Sequence, residues 1–310
     1  MTKQLSEMDV LVPPRHSEAA VAPRSVARLS NGRRRRRNTS WPRRAATTGL
    51  ALVWLIIVAA PLYYMLVVSL ERTDTFLSSN PWFPSLGVTT DNYVAVMESG
   101  FVNYLLNSLI VSVSATVLSV VVCLLGAYAV VVRASRLTGF VFRVFLTGFA
   151  VPIQALMVPL YIEIQKLNLY DSLLGLILPM AAFSLPVTVL ILVNFLREVP
   201  PELIQAMQVD GAGPLRILWS LAIPISVPAI VTAGIFDFIA NWNNFLFPLI
   251  LTQSSSAATL PLSVFQFQGN HFADVPQIMA SVALSALPLF VAYILARRRI
   301  TSGLAAGFGK

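Results

Sequence analysis

Apolar residues run through the chain in long blocks separated by short polar breaks. From Ala45 to Leu70 there are 26 residues without a charged side chain. Crossing about 30 Å of hydrocarbon as a helix takes about 20 apolar residues, so this block predicts a membrane span, with Pro61 as its expected kink. It is too long for the apolar core of a signal peptide, and no small-residue cleavage site follows it. Five further blocks of spanning length lie at about 104–132, 143–163, 173–196, 226–250 and 276–296. The pattern predicts an all-α membrane protein: six transmembrane helices in a domain over 45–300, between an N-terminal tail, 1–44, and a C-terminal tail, 301–310.

Composition agrees. Of the 310 residues, 56% are hydrophobic and only 12% charged, against about 25% charged in a soluble domain. Of the 22 Lys and Arg, 11 fall in residues 1–44, including the run Arg33 to Arg37. Such a run also suits nucleic acid, but just ahead of a span it reads as a basic cytoplasmic arm. Residues 1–40 lack apolar periodicity and are expected to be disordered. With the N-terminus inside, 20 Lys and Arg fall on the cytoplasmic side and only Arg72 and Lys166 outside, a clear positive-inside pattern. The protein is therefore expected to be a multi-pass membrane protein with both termini cytoplasmic.

The outer segments are then 71–103, 164–172 and 251–275. The last is too polar to span and too long for a tight turn, a length usual in functional or disordered loops. The main inner segment is 198–225. Pro200 and Pro201 suit a helix start, and Glu202 in the first turn suits the helix dipole. Residues 201–209 are good helix material, and Asp210-Gly211 ends them, because glycine takes the left-handed conformation just past the cap. A second short helix is expected from Pro214 through Trp219, with Pro224 and Pro228 leading into the fifth span. This is either an ordinary amphipathic linker or a helix that docks into a groove of a soluble partner.

Residues 202–228 resemble the EAA loop of ABC importer permeases, in which Glu-Ala-Ala precedes Asp-Gly-Ala and an apolar run ends in two prolines. Asp210-Gly211-Ala212 matches the centre, and Pro224 and Pro228 match the tail. Gln205-Ala206-Met207 stands at the Glu-Ala-Ala positions, so the glutamate that contacts the ATPase is here a neutral glutamine, with Glu202 three residues earlier. Asn107-Ser108, Pro159-Leu160-Tyr161, Leu173 to Pro179, Trp242-Asn243-Asn244-Phe245 and Gly303-Leu304-Ala305-Ala306-Gly307 also fit, in order, the carbohydrate-uptake branch of MalG type. The resemblance implies a type I ABC importer (MetI-like) permease fold and a sugar, of di- or oligosaccharide size, as cargo. It implies a second, MalF-like permease, two copies of a cytoplasmic ATPase carrying ATP-Mg, and an extracytoplasmic sugar-binding protein whose cleft the 251–275 loop enters. It further implies ATPase coupling through Glu202, Gln205, Ala206, Asp210, Gly211 and Ala212.

Other chemistry finds no residues to carry it. There is no G-x-x-x-x-G-K-[ST] phosphate loop and no G-x-S-x-G elbow, so no cofactor and no enzyme activity are expected of this chain. Cys123 is single, and His16 and His271 are far apart, which gives no disulfide and no metal spacing. Asp237 falls in the middle of the fifth span, where a carboxylate costs about 2.5–3.5 kcal/mol on insertion scales and so must face protein or water. Asn241 and Asn244, four and seven residues on, are expected on its helical face. With Trp242, which could stack on a sugar ring, these residues are candidates for the translocation path; interhelical bonding is the structural alternative. Gln154, Asn194 and Tyr128 are expected to make helix–helix contacts and Cys123 to pack. A secondary transporter, or a membrane scaffold or sensor module, remains open as an alternative function.

Overall fold

The computed structural model describes residues 41–78, 80–84, 87–267 and 273–307, and every element in them is helical. The expected disorder of residues 1–40 and His271 lie outside the described residues. In chain order the helices are α1 (Trp41–Ser69), α2 (Thr73–Phe76), α3 (Asp91–Glu98), α4 (Phe101–Val132), α5 (Arg136–Thr147), α6 (Ile153–Lys166) and α7 (Leu173–Arg197). Then come α8 (Pro201–Val209), α9 (Pro214–Ile217), α10 (Ile223–Trp242), α11 (Leu246–Leu251), α12 (Leu260–Ser263) and α13 (Val275–Gly307). The chain divides into two units between Leu55 and Ile56, inside α1. In the first unit, residues 45–55 are exposed throughout. The second unit, Ile56–Lys310, holds the helical bundle.

Among the described residues four stretches are long and apolar enough to cross a membrane: 45–69, α4, α7 and 214–242. The bent pair α5–α6 makes a fifth if it is one span, and α13 offers a shorter apolar stretch, 275–291. Length and composition of the described residues thus support four or five spans and do not confirm the expected six. The main difference is at 143–163. There the chain runs as α5, a 3-10 turn at Gly148–Ala150 and α6, bent by 107°. The cause is Pro152, which sits at the N-cap of α6 with ψ 125°; its ring clashes with a continuing helix and its nitrogen has no proton to give. The elbow packs closely: a Cβ on Gly148 would lie 2.9 Å from Cγ of Pro186 on α7.

Helix packing in the bundle follows side-chain size. On α4 the buried positions include Ser108, Ser112, Ala115, Ser119, Cys123 and Ala127, a stripe of small residues at helical spacing. On α10 the buried residues Ser226, Ala229, Ala233, Asp237 and Asn241 form a matching stripe. Small residues let backbones approach where lipid tails remove any hydrophobic preference between helices. The larger Val113, Val117, Val121 and Leu125 of α4 stay exposed on this chain.

The fifth expected span also differs. The short helix at Pro214 does not stand apart: it continues through a π-helical turn at Leu218–Ala222 into α10, so 214–242 is one helix. The wider turn lies just ahead of Pro224, which cannot donate to a preceding carbonyl. At its far end α10 stops at Trp242, short of the expected residue 250. The Asn243 side chain donates to the Ile239 carbonyl at 2.8 Å, and the Asn244 side chain accepts from the Phe247 N–H at 3.1 Å. Side-chain bonding of this kind replaces helical bonds and favours a break. At the C-terminus, α13 continues helical to Gly307, into the expected tail.

Because a proline ring cannot yield, Gly148→Ala overpacks the elbow, at about 1–3 kcal/mol. Thermal unfolding of the purified protein should show a lower melting temperature for Gly148→Ala. Gly139→Ala, where nothing lies within 4 Å of the added carbon, should not lower it.

Candidate coupling corner and buried polar clasp

The polar break between α7 and α10 folds as its local chemistry dictates. Pro201 opens α8 and Glu202 occupies its first turn. At the other end Gly211 has φ +77°. The Gly211 N–H donates to the Gln208 carbonyl at 3.0 Å and the Ala212 N–H to the Met207 carbonyl at 2.9 Å, which is a Schellman cap. No heavy atom lies within 4 Å of a Cβ built on Gly211. The demand for glycine is therefore conformational, not steric.

The corner is fastened from within and bare outside. Ile204, Met207 and Ala212 pack on a core cluster that includes Leu124, Leu192, Leu196, Ile217 and Leu218. The Tyr128 hydroxyl donates to the Pro214 carbonyl at 2.7 Å, tying α4 to the start of α9. Tyr128 is thus the expected helix contact. Glu202, Gln205, Ala206, Asp210 and Gly211 are exposed, beside Val209 at 87% and Leu215 at 72% exposure. Of the six expected coupling residues, only Ala212 is half-buried.

Asp237 faces protein and is 3% exposed. The Thr188 hydroxyl donates to it, at 2.8 Å from Oδ1 and 2.7 Å from Oδ2, and the Ser119 hydroxyl donates to Oδ2. One carboxylate therefore joins α4, α7 and α10. Asn241 is buried one turn further along, with its amide 3.4 Å from the Thr116 hydroxyl. Asn244 does not share this face, because α10 has ended before it. Trp242 is also buried, with its ring centroid 5.6 Å from that of Phe238, and it lines a half-open cavity with Asn243, Leu260 and Leu289. Gln154 and Asn194, expected to contact other helices, are exposed on this chain. Cys123 is buried, as packing requires.

The segment after α11 makes contacts that the spacing of residues did not reveal. Asn107 donates to the Ser256 and Ala258 carbonyls at 2.8 and 2.9 Å, and the Ser108 hydroxyl accepts from the Leu260 N–H at 2.8 Å. Asp171, in a left-handed conformation at φ +57°, accepts the N–H groups of Gln253 and Ser254, each at 2.9 Å. These N–H donors hold the Asp171 carboxyl below its ordinary pKa of 3.8. The described part of the last outer segment is accordingly fastened to α4 and to the α6–α7 turn. Among the described residues no three His, Cys, Asp or Glu side chains group as metal ligands would.

The family model described as "Binding-protein-dependent transport system inner membrane component" matches residues 119–301. The chain belongs to this family. Membership in a binding-protein-dependent transport family sets aside the scaffold and secondary-transporter alternatives. The permease is 36% identical, over 82% of its length and 93% of the relative's, to ORF2 of Caldicellulosiruptor sp. (strain Rt8B.4), assigned as an ABC transporter permease. It is 32% identical to the trehalose/maltose transport system permease protein MalG of Thermococcus litoralis, over 83% of this chain and 93% of that one. A solved chain of a bacterial ABC transporter involved in import of the acidic polysaccharide alginate superposes with TM-score 0.72 at 18% identity, covering 84% of the permease and 98% of that chain. The fold is thus that of an ABC importer permease.

Two outcomes are expected here. Asp237→Leu should lower the melting temperature more than Asp237→Asn, since the amide still accepts from a hydroxyl; interhelical bonds in membranes are worth about 0.6 kcal/mol each on average. The Asp171 pKa is depressed on folding, so its contribution is present above 3.8 and is lost as pH falls through the lower, folded value. Hydrogen exchange at Gln253 and Ser254 should therefore stay slow from pH 7 down to 5. Asp171→Asn, which tolerates the left-handed backbone, should speed it across that whole range.

Proposed function

We propose that the permease forms half of the translocation path of an ATP-driven sugar importer, facing a second, MalF-like permease. Two copies of a cytoplasmic ATPase, which carry ATP-Mg, dock on the α8 corner, and an extracytoplasmic sugar-binding protein delivers substrate. The sugar assignment rests on relatives named for trehalose/maltose, for diacetylchitobiose and for sulfoquinovosyl glycerol. The basic residues flanking the spans support an inward-facing corner and cytoplasmic termini.

One observation carries the coupling role. The face of α8 bearing Glu202, Gln205, Ala206 and Val209 is exposed, while Ile204 and Met207 hold the helix to the bundle. A helix so held presents a rigid apolar and polar surface to a groove. With Gln205 in place of a glutamate, docking relies on shape more than on an ion pair. From the corner, 214–242 is a single helix reaching Asp237 and Asn241. ATP-driven movement of α8 then shifts α10 and opens the path in turn to each side.

Within the path Asp237 acts on helix position, since both its oxygens are taken up by Ser119 and Thr188. Gln154 and Asn194 expose amides at membrane depth; such groups need protein or water partners outside this chain, which a path between two permeases supplies.

The test is transport and binding-protein-stimulated ATPase activity of the reconstituted importer. A β-branched residue at φ +77° is disfavoured by roughly 1–2 kcal/mol. Gly211→Val should therefore lower both activities at least about fivefold, with Gly211→Asn in between and Gln205→Ala near wild type. Unchanged coupling in Gly211→Val would refute the role of the corner.

A further inference from the structure

Between α4, α5 and α7 lies a half-open groove of about 190 Å³ whose lining is apolar. Val122, Gly126 and Val130 form one wall, Val141 and Phe145 the opposite one, and Val189 the floor. Sugar transport through a path between two permeases gives this groove no part.

Its charge surroundings are one-sided. Arg133 follows α4 directly, three residues past Val130, and Arg136 opens α5 one residue before the lining residue Leu137. Arg143 lies next to the lining residue Phe142 and is exposed; the Arg197 guanidinium carbon stands 5.4 Å from the Phe142 ring centroid. Neither described ion pair, Arg72–Asp74 or Lys166–Glu163, involves these four arginines, and Arg143 Nε donates to the Gly139 carbonyl at 3.2 Å. An apolar slot between helices that ends at the Arg133–Arg136 connection of α4 to α5 fits a molecule with a hydrocarbon chain and an anionic head.

We propose that this groove binds an anionic phospholipid of the leaflet on the α8 side, its acyl chain along Gly126 and its phosphate on Arg133 and Arg136. The choice of leaflet rests on the proposed inward-facing orientation of the α8 corner. The bound lipid fills the wedge between α5 and α4 and so supports the elbow that leads into α6.

The test uses the complete importer, reconstituted in nanodiscs with equal phosphatidylglycerol and phosphatidylcholine of matched chains, then stripped with detergent. Retained lipid is counted by mass spectrometry. Phosphatidylglycerol should be enriched over phosphatidylcholine. Each arginine near an anionic surface contributes a factor of roughly five, so Arg133→Gln with Arg136→Gln should cut the enrichment by roughly tenfold or more. Gly126→Leu fills the groove, and its Cβ meets nothing within 4 Å, so it should remove the lipid while leaving the melting temperature of the complex in place. Equal retention of the two lipids, or enrichment indifferent to these variants, overturns the proposal. So does loss of the partner permease from the Gly126→Leu complex, which would assign the groove to a partner helix. Labelling Gln208→Cys with an impermeant maleimide separates the two readings. Modification from outside would defeat the orientation while the lipid counts still judge the groove.

Discussion

A carboxylate at membrane depth has to find hydrogen-bond donors inside the protein, and in this permease that need organises the bundle. Asp237 finds them on two other helices, Ser119 of α4 and Thr188 of α7. The approach is possible only because the stripes that meet there are small: Ala115 and Cys123 flank Ser119, and Ala233 lies one turn from Asp237. A lipid environment gives no hydrophobic preference between helices, so backbone proximity and buried hydroxyls contribute to which faces meet, together with buried side chains such as Leu192 and Val193.

The same three helices also hold the α8 corner. The cluster below the clasp, with Leu124, Leu192 and Ile217, is the one on which Ile204 and Met207 seat α8. Tyr128 adds a hydrogen bond to the first residue of α9. A push on the corner thus meets packed side chains and a helix continuous to Trp242, with a π turn before Pro224 as its one irregular stretch. The segment 253–260 is held by other means: Asn107, Ser108 and Asp171 secure it by its backbone groups.

How much of this was legible in the sequence depended on how local its cause was. The α8 corner was readable, because Pro201, Asp210 and Gly211 act on their own backbone. That Asp237 faces protein or water also followed from its cost in lipid, but the choice between them did not, since Ser119 and Thr188 are 118 and 49 residues away. Hydropathy ran straight through two breaks. At Pro152 and at Asn243-Asn244 the flanking residues are apolar enough to read as one span, and a missing donor or a competing side chain ends the helix. The stripe on α4 was hidden for a related reason: hydropathy separates polar from apolar, whereas Ser108, Ser112, Ala115, Ser119, Cys123 and Ala127 share small size. Gln154 and Asn194 were expected inside the bundle and lie on its surface, which in a subunit of a larger assembly is where a partner begins.

The packing of α8 on the bundle and the continuous helix 214–242 predict that the α8 corner and α10 move as one body. Spin labels at Gln208 and at Ile239, both exposed, in a Cys123→Ala background of the complete importer, measure it by double electron–electron resonance. The distance between the two labels should be the same with and without ATP, while the distance from residue 239 to a label on the partner permease changes. A Gln208–Ile239 distance that shifts or broadens on ATP binding would contradict the account.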